Sequence, residues 1–138
     1  MKINVMLDEG AYMPTKAHED DAGFDIYTPK KIEVPAKNSV VIDTGVHFEI
    51  PKGYVGILKS KSGLNIKDGI NVTGVIDSGY TGSVVAKIYN HAYTAKRFEA
   101  GNKITQIVFL PIPQVTLELS HSFEKTERGD NGFGSTGE

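Results

Sequence analysis

Apolar and polar residues alternate over short stretches of this chain, and turn-forming residues interrupt them every few positions. Ile3–Leu7, Phe24–Tyr27, Ser39–Asp43, Val46–Ile50, Tyr54–Leu58, Asn71–Asp77, Tyr80–Tyr89, Ile104–Leu110 and Val115–Leu119 each read as a strand. The period of two is plainest where Val84, Ala86 and Ile88 fall on one face and Val85, Lys87 and Tyr89 on the other. Thr28-Pro-Lys, Val34-Pro-Ala-Lys-Asn, Ile50-Pro-Lys-Gly and Asp77-Ser-Gly-Tyr supply the breaks. Only Ser62–Lys67, flanked by glycines and closed by Asp68-Gly69, offers a turn or two of helix. The pattern predicts an all-β, single-domain, distorted β-barrel or jelly-roll-like fold. Asn71–Asp77 and Tyr80–Ala86, separated by Ser78-Gly79 alone, read as a hairpin that sets Asp77 and Tyr80 opposite one another.

Length and composition narrow the function classes. At 138 residues the chain has room for one domain with a full core, and its 15 glycines match the demand for turns. Fifteen Lys plus Arg against seventeen Asp plus Glu leave a formal charge of -2, which argues against a broad basic face for nucleic acid. The absence of cysteine removes disulfides, thiolate metal sites and a cysteine nucleophile. It is compatible with a reducing compartment, and the expected location is the cytoplasm, or the host cytoplasm for a viral protein. The apolar run at the N-terminus is too short for a signal peptide. The longest uncharged stretch, Ile104–Leu117, is broken by Thr105, Gln106, Pro111, Pro113 and Gln114 and falls short of the ~20 apolar residues of a membrane span. Neither nucleic acid nor a membrane is an expected partner.

Candidate chemistry is defined first by elimination. No Gly-x-x-x-x-Gly-Lys-Ser/Thr is present, and the glycines near the C-terminus stand too late to open a strand-helix-strand nucleotide fingerprint. His18, His47, His91 and His121 lie far apart without an i,i+4 partner, so each reads as a surface or packing residue. The carboxylates Asp20, Asp21, Asp25, Asp43, Asp68 and Asp77 remain, oxygen donors that suit Mg²⁺ held largely through water and substrate phosphates. Arg128–Glu138 holds four glycines and one large apolar side chain, so the expected division is a folded domain over 1–127 and a flexible tail over 128–138. Arg128, Ser135 and Thr136 are an inventory for gripping phosphate, and Phe133 can stack on a flat ring.

Five segments taken together carry a resemblance. They are Asp21-Ala-Gly-Phe-Asp25, Ser60-Lys-Ser-Gly-Leu64, Asn71–Gly82 centred on Gly74-Val-Ile-Asp-Ser-Gly-Tyr80, Gly101-Asn-Lys-Ile-Thr-Gln-Ile-Val108, and Arg128–Gly137 with its Gly132-Phe-Gly-Ser-Thr-Gly137. In order and spacing they resemble the five motifs of the trimeric deoxyuridine triphosphatase (dUTPase) family, over nearly the whole chain. The resemblance implies Mg²⁺-dependent hydrolysis of dUTP to dUMP and pyrophosphate by a homotrimer whose sites lie at subunit boundaries. It implies Asp77 as general base for a water attacking the α-phosphorus, a task that suits a carboxylate because it is already ionised near neutrality. Asp25 matches the acid that reaches the metal through a water. Lys61, Ser62, Gly63 and Gln106 match the positions along the phosphate chain, while Lys103 reads as a nearby cation at a strand end. Asn71, Gly74, Val75 and Ile76 match the segment that reads uracil, and Tyr80 the ring against the deoxyribose. Arg128, Phe133, Gly134, Ser135 and Thr136 match the closing tail. Two positions depart from the family pattern: Lys61 stands where Arg is usual, and Asn131 where Gly is usual. A dCTP deaminase of the same fold and a regulatory module that binds nucleotide without needing turnover are the rival readings. The first would need a glutamate base near the pyrimidine.

Overall fold

The computed structural model describes residues 1–134. It contains eleven strands and one helix: β1 (Asn4–Leu7), β2 (Phe24–Tyr27), β3 (Ile32–Val34), β4 (Ser39–Asp43), β5 (Val46–Glu49), β6 (Tyr54–Lys59), α1 (Ser62–Asp68), β7 (Ile70–Val72), β8 (Gly74–Asp77), β9 (Val85–Asn90), β10 (Lys96–Phe98) and β11 (Lys103–Pro111). All pairings are antiparallel. They form a four-stranded sheet β2-β11-β6-β8, a three-stranded sheet β4-β9-β7, and the pairs β1-β5 and β10-β3. The sheets wrap one core in a jelly-roll-like arrangement and, among the described residues, do not close into a barrel. No helix is long and apolar enough to cross a membrane.

Alternation explains the inside and the outside. Along β9 Ala86, Ile88 and Asn90 are buried while Val85, Lys87 and Tyr89 face out, as a strand with one covered face requires. The core joins Ile26, Val46, Leu58, Ile70, Val84, Ile88, Ile104 and Ile107, with Phe48 and Phe24 edge-on to Phe109 at its rim. Helix α1 ends where Gly69 takes a left-handed φ of 67° and its N–H closes back on Asn65, as the Asp68-Gly69 pair predicts.

The structure revises three readings. Asn71–Asp77 is not one strand. It divides at Thr73, β7 pairing with β9 and β8 with β6, because Gly74 lets β8 lie against Leu58 where a Cβ would stand 3.2 Å from its side chain. The expected hairpin therefore does not form as a ladder. A turn does join Asp77 O to Tyr80 N at 3.2 Å, with Gly79 at φ 86°, but the strands before and after it belong to different sheets. Val115–Leu119 forms no strand: its alternating Val115, Leu117 and Leu119 find no partner among the described residues and stand exposed. Two short strands, β3 and β10, lay below the length at which alternation is legible.

Candidate active site

Strand β11 organises one end of the site. It lies between β2 and β6, so Gln106 sits opposite Asp25 on one side and Lys59 on the other. The ladder to β2 slips between Lys103 and Thr105. Ile104 and Thr105 are consequently both buried, where strict alternation would expose one of them. Thr105 satisfies its hydroxyl on Lys59 O at 2.7 Å, and the Gln106 amide donates to Ser60 O at 3.0 Å. Gln106 lies over Gly23, whose absent Cβ would fall 2.5 Å from the amide oxygen, so this first-motif glycine makes room for the glutamine.

Asp25 is the charged centre of this end. It is 4% exposed, and its two oxygens accept from Lys61 Nζ and, at 2.8 Å, from Lys103 Nζ. Burial pushes the carboxyl up, but the hydrogen bonds and charges of Lys103 and Lys61 together outweigh it and hold the group below the usual carboxylate range. The same pairing raises Lys103. One carboxylate between two ammonium groups leaves a net positive patch, beside which Ser62 and Gly63 lie exposed on the first turn of α1. Lys103 is thus a member of the cluster rather than a solvated strand end; its only sequence signal was a place in the fourth motif.

Asp77, Ser78, Gly79 and Tyr80 form the other end, all exposed. Asp77 lies opposite Val55 of β6, whereas the Gln106 position lies opposite Lys59. Four residues of strand separate the two ends, about 13 Å at roughly 3.3 Å per residue. Asn71 is closer to the charged end, its carbonyl accepting from Ser60 Oγ at 2.7 Å, and Ser60 Oγ in turn accepts from Val72 N at 3.0 Å. Val75 is exposed and Gly74 and Ile76 partly so, on the β8 strand that leads to Asp77. The Tyr80 hydroxyl donates to Ser83 O at 2.8 Å, which lays the ring over Gly82; a Cβ there would stand 2.5 Å from the phenol oxygen.

Among the described residues, the tail joins neither end within this chain. Every described residue from Leu110 to Gly134 is exposed. Arg128 Nε donates to Asn131 O at 3.0 Å, and Phe133 and Gly134 stand free of the body. Ser135 and Thr136 lie outside the described residues. Among those described, no three carboxylate or imidazole groups converge on a metal position. Asp25 is the one acid of the cluster, so a hard divalent ion fits here only if substrate phosphates and water supply most of its ligands.

Known proteins resemble this chain over nearly its whole length. The profile of the dUTPase family matches residues 9–137. The deoxyuridine 5'-triphosphate nucleotidohydrolase of Clostridium tetani is 38% identical over 136 residues, covering 96% of this chain and 93% of the relative. That of Gloeothece citriformis is 34% identical over 141 residues, covering 99% and 97%. Among solved structures, the Staphylococcus bacteriophage 80alpha dUTPase with dUpNHpp superposes with a TM-score of 0.91 at 32% identity, covering 99% of this chain and 98% of that one. A mutant dUTPase of phage phi11 of S. aureus, described with a structural Mg(II) ion, superposes with a TM-score of 0.83 at 31% identity, covering 91% and 100%. With a family profile and full-length relatives on both counts, this chain belongs to the dUTPase family.

Proposed function

We infer that the chain is a dUTP diphosphatase that releases dUMP and pyrophosphate with Mg²⁺, using Asp77 as general base, in sites completed between the subunits of a homotrimer. The observation that carries the reading is the charged end: a buried carboxylate holding two ammonium groups beside Gln106, Ser62 and Gly63. A net positive cluster with directed donors suits a triphosphate, and Lys61 supplies a point charge where a guanidinium would supply a planar fork. Mg²⁺, when bound, neutralises phosphate charge, and Asp25 is the residue that would meet its water shell.

The chain's own groups divide the remaining work. Asp77 orients and deprotonates the attacking water, which needs hydrogen-bond reach to that water. A separation of about 13 Å along β6 supports a site in which the Asp77 end of one subunit meets the charged end of another. The unpartnered alternation of Val115, Leu117 and Leu119 favours the same assembly, since it offers a neighbour an apolar edge. Backbone of Asn71 to Ile76 reads the uracil edge, where a cytosine would leave a buried polar group unpaired. Tyr80, fixed by its bond to Ser83, excludes a 2′-hydroxyl. Residues 128–138 act as a separate closing segment, with Phe133 over the base and Arg128, Gly134, Ser135 and Thr136 on the phosphates. The phage relative with dUpNHpp, a dUTP analogue, supports the substrate.

The test is pyrophosphate release from dUTP, dTTP, dCTP and UTP, with and without chelator. dUTP should be preferred over all three, and chelation should abolish turnover. Comparable kcat/KM for UTP would remove Tyr80 from sugar exclusion, and ammonia release from dCTP would replace the reading with a deaminase.

A further inference from the structure

His47 belongs to no motif, yet it is tied to the segment that carries Tyr80. On β5 it faces outward, and its ring spans two neighbours: Nδ1 lies 2.8 Å from Thr81 O, and Nε2 lies 2.9 Å from Asp8 Oδ1. Both neighbours are acceptors only. A neutral imidazole has one N–H and one lone pair, so it satisfies one of them and turns a lone pair on the other. Only the imidazolium donates to both. Asp8 is itself fixed to the body, its N–H donating to Gly45 O at 2.8 Å.

What the ring holds matters for the site. Thr81 directly follows Tyr80 in the exposed turn. Further along, the segment is fastened to the β4–β5 corner: Ser83 Oγ donates to Asp43, Val84 N donates to Val46 O at 2.8 Å, and Thr44 donates its N–H and hydroxyl to Val84 O at 3.0 and 2.7 Å. The His47 bond extends that brace one step toward Tyr80. Gly82 lies between the two, partly exposed and without a side chain to pack.

We propose that His47, as an imidazolium between Thr81 and Asp8, is a positioning residue for the Asp77–Tyr80 turn, and that its deprotonation weakens the grip on the nucleoside of the substrate. The proposal rests on Tyr80 and Asp77 forming the nucleoside end of the site. The charged and titratable groups around the ring are consistent with it. Asp8 faces it from the end of β1 and Asp43 from the end of β4. Glu49 shares its face of β5 and is engaged by Asn4 Nδ2 at 2.7 Å, and the Tyr80 phenol points away to Ser83 O. Among the described residues, no lysine or arginine lines the depression around it. The bond to the Thr81 carbonyl, then the bond to Asp8, hold the imidazole above its ordinary 6.5. A group raised in this way keeps its proton, and its second bond, to higher pH than an ordinary imidazole, and loses them as pH rises through the raised value.

The experiment is steady-state kinetics of the full chain on dUTP at saturating Mg²⁺ from about pH 6 to about pH 9, for the wild type, His47→Gln and His47→Phe, with the His47 ring signal followed by NMR in the wild type. KM for the wild type should rise about 3–10-fold, the worth of one hydrogen bond, at the pH where the ring titrates, with kcat moving less. His47→Gln donates an N–H to Thr81 at every pH and should hold the low KM flat; His47→Phe should show the high KM throughout. Ionisation of dUTP itself is common to all three proteins, so the ratio to the Gln variant is the readout. Identical pH profiles for wild type and Gln, or a ring that titrates at or below its ordinary value, would overturn the proposal. An Asp77→Asn variant that keeps its turnover would instead overturn the reading of the site on which it rests.

Discussion

Asp25 and Asp77 are carboxylates on strands of one sheet, and their surroundings are opposite. Asp25 is buried, with both oxygens taken by lysines. Asp77 is exposed at the end of β8, opposite Val55 of β6, where the chain enters a turn that is fastened again only after Tyr80. The difference teaches that a buried acid with satisfied oxygens arranges its neighbours, while an exposed acid on a turn is open to groups brought from outside the chain. The charged end is preorganised within one chain; the Asp77 end is presented outward.

The sharpest division between the two acids comes from Asp77→Asn. Size and hydrogen bonding persist while the basic charge goes, so kcat for dUTP should fall about 10²–10⁴-fold with nucleotide binding retained. The melting temperature should hardly move, because nothing in the fold depends on that charge. Near-native turnover would require another base.

Asp25→Asn should show the reverse emphasis. It leaves two ammonium groups facing a neutral amide, and stability should drop. Breaking a fully buried pair costs roughly 3–5 kcal/mol, but the Lys61 and Lys103 side chains are 29% and 46% exposed, so water screens them and about 1–3 kcal/mol is expected. The acid limb tests the assignment. A carboxyl held below its ordinary 3.8 stabilises the fold above that value and loses the contribution as pH falls through the lowered one. The stability gap between wild type and variant, followed by chemical denaturation, should therefore close only in strong acid. A gap that is already closed near neutrality would show that the triad contributes nothing to the fold.

Gly82→Ala probes the Asp77–Tyr80 end from its packing. The new Cβ collides with the Tyr80 phenol oxygen and should free the ring from Ser83, raising KM for dUTP by about 3–10-fold and eroding discrimination against UTP. Tm should stay close to the parent. Unchanged selectivity would mean that the ring position does not set sugar choice.

Much of this was legible in the sequence because alternation is local. Eight of the nine expected strands overlap observed ones, and the helix falls where Asp68-Gly69 closes it. Long-range pairing was less legible. Asn71–Asp77 looked continuous since nothing in its side chains announces that residues 70–72 and 74–77 pair with strands of different sheets. Val115–Leu119 has the pattern of a strand but no partner among the described residues. In the site, motif residues could be named, whereas the Lys103 bond needed the slip in the β11 ladder. His47 was invisible for a related reason: Thr81 and Asp8 lie 34 and 39 residues away, and only the packing of β1 and the Tyr80 segment around β5 brings them to one ring.

Among the described residues, every buried one precedes Pro111, which also bears on how the molecule is made. The last strand of the body, β11, lies at the centre of the four-stranded sheet and joins β2, from early in the chain, to β6. Until the ribosome has delivered it, β2 and β6 lack the strand that joins them in one sheet. Residues 112–138 follow within about 1–5 s at synthesis rates of ~5–20 residues per second. The apolar Val115, Leu117, Leu119 and Phe123 thus leave the ribosome behind a body whose core sequence is already complete. This order keeps these exposed apolar side chains out of the search for the fold.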